Sequence, residues 1–503
     1  MADSGRPERY VVIERFLETS RQPVLMEPGE DPLPLSPGNF HLNWNGQAVT
    51  LEAWGEMRNL VRRVRSIQSK HRSRLEIEVE RFRGRTGRLT LVDLAHPSNR
   101  DASRRGARLK YRERFRRSLA RQFPGWRLVE LSTETDLHHS LSPSFPRALL
   151  RKGATGMAAI GAAEDALEPD GALTFGLIWL DYLRLRERDL EVLGLVIFQP
   201  AGREQTTCHR VRYLDRRAAT YAVFVHHADG SEEPVDPGDY TNFDTRVEPC
   251  CRPQLAVWAH DLAMILATIE GVERRDHSDG SVSLAVRGLE FARTSGGQVT
   301  FGLDQKQNGG EAHVREIEAL ALGLVQMRDS GASHRGLLYT RHPEAWLESQ
   351  VRAHIEQIDA RLLPHPLYGQ VPQFAAGERG LLDVLAADRD GRLAILEVKA
   401  TQDVHLPLQA LDYWMRVKWH LERGEFQGRG YFPGIELRAE PPRLLLVAPA
   451  LDFHPSNEAV LRYFSPEVEV DRVGVGIEWR KELRVMFRSS VAKLKPHARF
   501  RTD

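Results

Sequence analysis

Cysteine is nearly missing from this chain. Its 503 residues contain three, Cys208 and the neighbours Cys250 and Cys251, which are too few and wrongly spaced for a disulfide framework or a zinc site. Histidine is more common, but His138-His139 and His226-His227 stand without a matching Cys or carboxylate cluster, so they suggest no metal centre of their own. No uninterrupted apolar run approaches the ~18 residues of a membrane span. The opening Met1-Ala2-Asp3-Ser4-Gly5-Arg6 lacks the pattern of a signal peptide. A cytoplasmic protein with reduced thiols and no membrane partner is expected. Phosphate-cradling glycine loops are also missing, since Gly84-Arg85-Thr86-Gly87-Arg88 has no Gly-Lys-Ser/Thr ending. ATP use is therefore not supported. Hydrophobic residues at 41% and charged residues at 28% are those of folded rather than disordered chains.

Charge of one sign is lacking overall but not locally. The net charge is +1. Within it, Arg58 to Arg74 holds seven Lys or Arg and no acid, and Arg104 to Arg121 holds nine against the single acid Glu113. Both stretches read as basic helices. Such surfaces can neutralise phosphates and position a nucleic acid without reading its sequence. Arg104, Arg105, Arg108, Lys110 and Arg112 are the candidates for that contact.

What the chain does have is a charged constellation inside apolar strands. Leu381 to Ala387 and Leu393 to Ala400 read as buried strands, yet they contain Asp383, Glu397 and Lys399. Unpaired charges are costly to bury, so something must compensate them. The turn Arg389-Asp390-Gly391 fits a three-residue hairpin loop with glycine in the left-handed position. It pairs Asp388 with Arg392 and sets Asp383 across from Glu397. Glu397 and Lys399, two residues apart, share one strand face with Leu393 and Ile395. Facing carboxylates repel by about 4 kcal/mol at 4 Å and a surface-like dielectric, and a bound Mg²⁺ or Mn²⁺ would reverse that sign. A buried salt-bridge cluster is the plainer alternative.

Downstream, Leu406-Pro407 opens an amphipathic helix. Ala410, Trp414, Val417 and Leu421 form its apolar row, and Gln409, Tyr413, Arg416 and His420 its polar one. Upstream, His342-Pro343-Glu344 opens another helix with proline in its first turn, and its buried stripe runs through Leu347, Val351, Ile355, Ile358 and Leu362. Glu348 borders that stripe, with Glu344 one turn earlier on the same side.

An acid, a gap, then Glu-x-Lys on adjacent strands, followed by Gln409-x-x-x-Tyr413 on a helix, resembles the PD-(D/E)xK nuclease superfamily and its RecB-like branch. The resemblance spans about 341 to 487. It departs from the family pattern in having Leu382 rather than Pro before Asp383. It implies a restriction-endonuclease-like core, a mixed central sheet flanked by helices. It also implies a metal-dependent nuclease in which Asp383, Glu397, the Val398 carbonyl and a helix acid hold Mg²⁺ or Mn²⁺, Lys399 assists, and Gln409, Tyr413 and Arg416 support the site or touch the phosphate backbone. For the helix acid the family position favours Glu348 over Glu344. DNA is the expected substrate and RNA the alternative. A module of the same fold that binds nucleic acid without cutting it is the competing reading.

The rest of the chain reads as an α/β (α+β mixed) arrangement, with an N-terminal α+β region over 1–250, an α+β middle region over 251–334 and the nuclease-like domain over 335–503. Strands are expected at Leu75 to Leu94, Trp126 to Ser132, Glu191 to Gln199, Ala219 to His226 and Ser281 to Arg293, and helices at Gly171 to Arg186 and His313 to Arg328. Asp93 and Glu130 raise the idea of a second, decayed core. The missing lysine after Glu130 argues against it.

Overall fold

The computed structural model describes residues 6–27, 33–36, 38–46, 48–55, 58–80, 86–96, 100–166, 168–253, 255–295, 298–329, 337–369, 371, 373–374 and 384–491. The chain is mixed α/β and divides into two compact units, residues 1–134 with 143–146, and residues 135–142 with 147–503. Among the described residues no helix is long and apolar enough to cross a membrane, and all three cysteines are free.

The first unit begins with α1 (Glu8–Thr19). Seven antiparallel strands follow: β1 (Pro23–Met26), β2 (Leu33–Pro34), β3 (Phe40–Asn45), β4 (Ala48–Gly55), β5 (Arg58–His71), β6 (Arg74–Glu80) and β7 (Thr86–Asp93). They form one sheet in the order β2-β1-β7-β6-β5-β4-β3. Alternate residues Val49, Leu51 and Ala53, with Leu75, Ile77 and Val79, pack under Ile13 and Phe16 of α1. The basic stretch beginning at Arg58 is thus a strand, not the helix its charge density suggested. Leu60 and Val64 are buried while Val61 is 60% exposed, an alternation of period two that the arginines obscured. Its charges meet acids, Arg62 at Glu27 and Arg65 at Glu80. The second basic stretch is helical, as α2 (Arg100–Gln122), and anchors itself through Tyr111, Phe115 and Leu119 at four-residue spacing. β8 (Arg127–Ser132) follows. Asp93 ends β7 and accepts from the backbone N–H groups of Arg21, Gln22 and Ala95, so it is a turn-holding carboxylate rather than part of a second core.

In the second unit, β9 (Arg147–Lys152), β10 (Thr155–Gly161), α3 (Gly171–Arg186), β11 (Glu191–Pro200), α4 (Gln205–Val211), β12 (Thr220–His226) and β13 (Glu232–Val235) come first. These five strands run in the order β13-β12-β11-β10-β9. β9 and β10 form a hairpin, β10, β11 and β12 are parallel, and β13 returns antiparallel.

After β14 (Thr245–Arg246) comes a smaller layered element. In it α5 (Val257–Leu266) and α6 (Val314–Met327) pack on the antiparallel strands β15 (Val272–Asp276), β16 (Val282–Val286), β17 (Leu289–Ser295), β18 (Gln298–Phe301) and β19 (Gln307–Gly309). The single strand expected over 281–293 is split by a turn at Arg287-Gly288, both at positive φ. A Cβ on Gly288 would lie 2.0 Å from the Ala345 carbonyl oxygen, so only glycine lets the chain pass there.

The chain then runs through α7 (Leu337–Thr340), α8 (Pro343–Ala353), α9 (Ile355–Ile358) and β20 (Gln373–Phe374) to β21 (Val384–Ala387), β22 (Leu393–Val398), α10 (Leu406–Glu422), α11 (Glu425–Gly428), β23 (Arg443–Pro449), α12 (Asn457–Leu461), β24 (Val470–Val475) and β25 (Val485–Ser490). The apolar stripe from Leu347 to Leu362 is buried as expected, but it is carried by two helices, broken at His354, with Leu362 beyond the second. Strands β21 to β25 stand in sequence order. A hairpin, three parallel strands and an antiparallel return repeat the plan of the earlier sheet. Leu195↔Tyr221 and Leu444↔Val470 are corresponding pairs, and the same shift in residue number carries the β11/β12 ladder from there to Pro200↔His226 onto β23/β24 as far as Pro449↔Val475.

Candidate active site

The hairpin sets the register of the site. Val384 pairs with Leu396 and Ala387 with Leu393, and the Asp388 N–H donates to the Arg392 carbonyl at 2.9 Å. This is the register that the Arg389-Asp390-Gly391 turn dictates. Gly391 takes φ +82°, and a Cβ there would meet the Glu436 carbonyl oxygen at 2.0 Å. Asp383, the residue before Val384, lies outside the described residues.

Ala394, Leu396 and Val398 pack into the core that includes Leu347 and Val351 of α8. Alternation along β22 therefore turns Leu393, Ile395 and Glu397 to the other face of the sheet. Glu397 is 3% exposed and pairs with Leu446 of the neighbouring parallel strand. Val398, the last residue of β22, is 1% exposed. One residue on, the Lys399 backbone N–H donates to the Val447 carbonyl at 2.9 Å. Its ammonium lies 3.9 Å from Glu397 Oε1 and 3.9 Å from Asp403 Oδ2. At such separations each attraction is worth about 4 kcal/mol at an effective dielectric of 20 before desolvation is subtracted. This cluster stands at the carboxyl ends of parallel strands β22 and β23, where open α/β sheets commonly bind ligands.

Asp403 is the member that sequence reasoning missed. A lone acid just before a helix reads as a cap, and it is partly that, since its Oδ1 accepts from the His405 N–H at 2.8 Å. The free direction of the same carboxylate faces Lys399. The loop is fixed on two sides. His405 Nδ1 lies 3.0 Å from Thr174 Oγ1 of α3, and Asn457 of α12 donates to the Asp403 carbonyl at 3.0 Å. Burial pushes the His405 pKa down, which keeps the ring neutral at neutral pH.

The two helix acids differ sharply. Glu348 is held by Arg275 at 3.3 Å and Arg352 at 2.6 Å, on a helix that packs against the face opposite Glu397. Glu344, one turn earlier, accepts from the Thr401 hydroxyl at 3.3 Å, two residues beyond Lys399.

On α10 the expected apolar row is buried, and so is much of the polar row. Tyr413 is 5% and His420 2% exposed, with Gln409 half-buried. His420 is satisfied by Glu425 and Thr245. Arg416 donates to the Asp412 carbonyl one turn back at 2.9 Å. Asp412 itself, inside the Gln-x-x-x-Tyr segment, is gripped by Arg210 of α4 through two bonds of 2.9 and 2.7 Å.

The basic candidates stand in the first unit. Lys110 is exposed, Arg108 and Arg112 are half-buried, and Arg112 donates to the Leu131 carbonyl at 3.4 Å. Arg104 and Arg105 lie on α2, and their side chains are outside the description.

For a divalent cation, Glu397 supplies one hard carboxylate and Val398 a strand-end carbonyl, which suits magnesium or manganese in kind. Among the described residues no group of three or more His, Cys, Asp or Glu converges as a ligand set. Comparisons with protein families, with curated proteins and with solved structures find no match.

Proposed function

We propose that the chain is a metal-dependent nuclease of the PD-(D/E)xK type, hydrolysing phosphodiester bonds in DNA. The observation that carries this reading is the meeting of the buried Glu397 carboxylate and the Lys399 ammonium at the mouth of a hairpin-plus-parallel sheet. In the sequence Asp383 immediately precedes Val384, the first residue of β21. A bound Mg²⁺ or Mn²⁺ would neutralise phosphate charge and acidify a water. Asp383 and Glu397 are the carboxylates that would hold it. The contact of Glu344 with Thr401 makes Glu344, rather than Glu348, the better candidate for the helix acid. Glu348 is left the structural task of pairing with two arginines.

The chain's own groups divide the remaining work. Lys399, half-withdrawn from solvent, presents a positive charge where the phosphate becomes more negative. Asp403 Oδ2 lies as close to that ammonium as Glu397 Oε1 does, so the two carboxylates share its charge. Gln409 and Tyr413, on α10, are the candidates to support the site. The arginines of α2 offer phosphate contacts without base readout.

Purified protein is incubated with labelled single-stranded, duplex and branched DNA and with RNA, in Mg²⁺, Mn²⁺ or chelator, beside Asp383→Ala and Lys399→Ala. The reading expects metal-dependent scission that both substitutions abolish. Scission that survives both removes this site from consideration. Salt-sensitive binding with no products favours a non-cutting module of the same fold.

A further inference from the structure

The two sheets of the second unit repeat one plan and meet through a reciprocal contact. The Asp215 N–H donates to the Tyr463 carbonyl at 2.8 Å, and the Ser465 N–H donates to the Tyr213 carbonyl at 2.7 Å. Between them Leu214 and Phe464 form an antiparallel bridge. Arg212-Tyr213-Leu214 and Arg462-Tyr463-Phe464 are the matching segments. The flanking helices reciprocate. Arg184 of α3 lies 5.6 Å from the Tyr463 ring centre, and Lys418 of α10 lies 5.9 Å from that of Tyr213. Contacts in which each copy offers the other the same surface mark a two-fold relation, here within one chain.

The register also equates the site positions. Leu195 pairs with Ala158 and Leu444 with Ile395, and the strands end alike, the Ala162 N–H donating to the Phe198 carbonyl as the Lys399 N–H donates to the Val447 carbonyl, each at 2.9 Å. Ile160 therefore stands where Glu397 stands, and Ala162 where Lys399 stands. Ala148 pairs with Ala159 as Val384 pairs with Leu396. Arg147, preceding Ala148, thus takes the place in the sequence that Asp383 takes before Val384. The first copy has no carboxylate at any of the three positions. The two strand ends lead to neighbouring helix starts, with His405 at the start of α10 touching Thr174 and Phe175 in the first turn of α3.

We infer that the chain is an internal dimer with one working copy, and that it severs one strand of a DNA duplex per binding event. This rests on the nuclease reading. The antiparallel strands of a duplex are themselves related by two-fold axes, so two like copies present like surfaces to the two strands. Only one of these surfaces carries Glu397 and Lys399. The copy over 147–235 serves as a binding mate, and a second cut requires a second encounter.

Full-length protein is bound in chelator to a short duplex whose strands carry different dyes, and its stoichiometry is read by sedimentation. Metal is then added with excess heparin so that each bound chain acts once, and products are resolved on native and denaturing gels. One chain per duplex, with one strand cut and its complement whole, is the expected result. Both strands cut in a single event, or two chains per duplex, overturns the inference. Scission of single strands with the duplex left intact also overturns it while leaving the nuclease reading in place, whereas no scission of any substrate overturns both.

Discussion

Arg210 and Asp412 join the two copies through a bidentate pair that is nearly withdrawn from water, with side-chain exposures of 8% and 16%. Arg210→Met keeps the aliphatic stem but leaves the Asp412 carboxylate buried without its guanidinium. Removing one partner of a buried ion pair costs about 3–5 kcal/mol, because the remaining charge keeps its desolvation penalty and loses its compensation. Arg210 also donates to the Asp170 carbonyl at 3.2 Å, which puts the expected loss toward the upper end of that range. Asp412→Leu alone strands the guanidinium and should cost a similar amount. The double variant replaces both charges with apolar groups and should recover most of the loss, so that it loses far less than the sum of the two single variants in the double-mutant cycle. Urea unfolding followed by circular dichroism on all four proteins reads this directly. If Arg210→Met shifts stability by less than about 1 kcal/mol, or if the two losses simply add, the pair is not the buried junction described here.

Other consequences are as open to measurement. The Asp359 side chain is 3% exposed and receives Arg361, Arg443 and Arg488 at 2.9, 2.7 and 3.0 Å. Burial raises its pKa, but the arginine hydrogen bonds outweigh that and hold the carboxyl well below the usual range. Asp359→Asn should therefore cost about 3–5 kcal/mol in chemical unfolding, and a change near zero would contradict the cluster. His209, packed 4.4 Å from Phe243, is pushed down to about 4 by burial. Below pH 6.5 the unfolded chain protonates this residue first, so stability falls as pH drops from about 6.5 toward about 4, by up to ~3 kcal/mol. His209→Phe should flatten that part of the melting profile, and an unchanged slope would refute the assignment. For the helix acids, Glu344→Gln should lower scission by roughly two orders of magnitude. Glu348→Gln should leave scission largely intact while lowering the melting temperature; the reverse pattern would restore Glu348 to the site.

Much of this architecture was legible where local chemistry and long-range packing agree. Gly171 to Arg186 reads as a helix from its composition and is one. The Arg389-Asp390-Gly391 turn dictates its own register, because a left-handed position wants glycine. The stretch from Arg58 misled because an arginine, Arg62, takes the buried register between Leu60 and Val64 to reach the buried Glu27, and because the alternation is interrupted by bulges after Val64 and Ile67. Asp403 was hidden because its pairing with Lys399 depends on how Asn457 and Thr174 fold the loop back. The internal repeat was invisible for a deeper reason. Burial constrains a strand only to be apolar, so Ala159-Ile160-Gly161 and Leu396-Glu397-Val398 share a position without sharing a sequence. Only the Arg-Tyr segments at the reciprocal contact kept a common signature.

The central claim is that a hard divalent cation belongs beside Glu397. Crystals of the protein equilibrated with Mn²⁺ and measured for anomalous scattering test it most directly. A peak about 2.1 Å from a Glu397 carboxylate oxygen is expected, with Asp383 among its other ligands and Lys399 close by. A clean map with no peak at that strand end, Lys399 remaining paired to Glu397 and Asp403 alone, would contradict it.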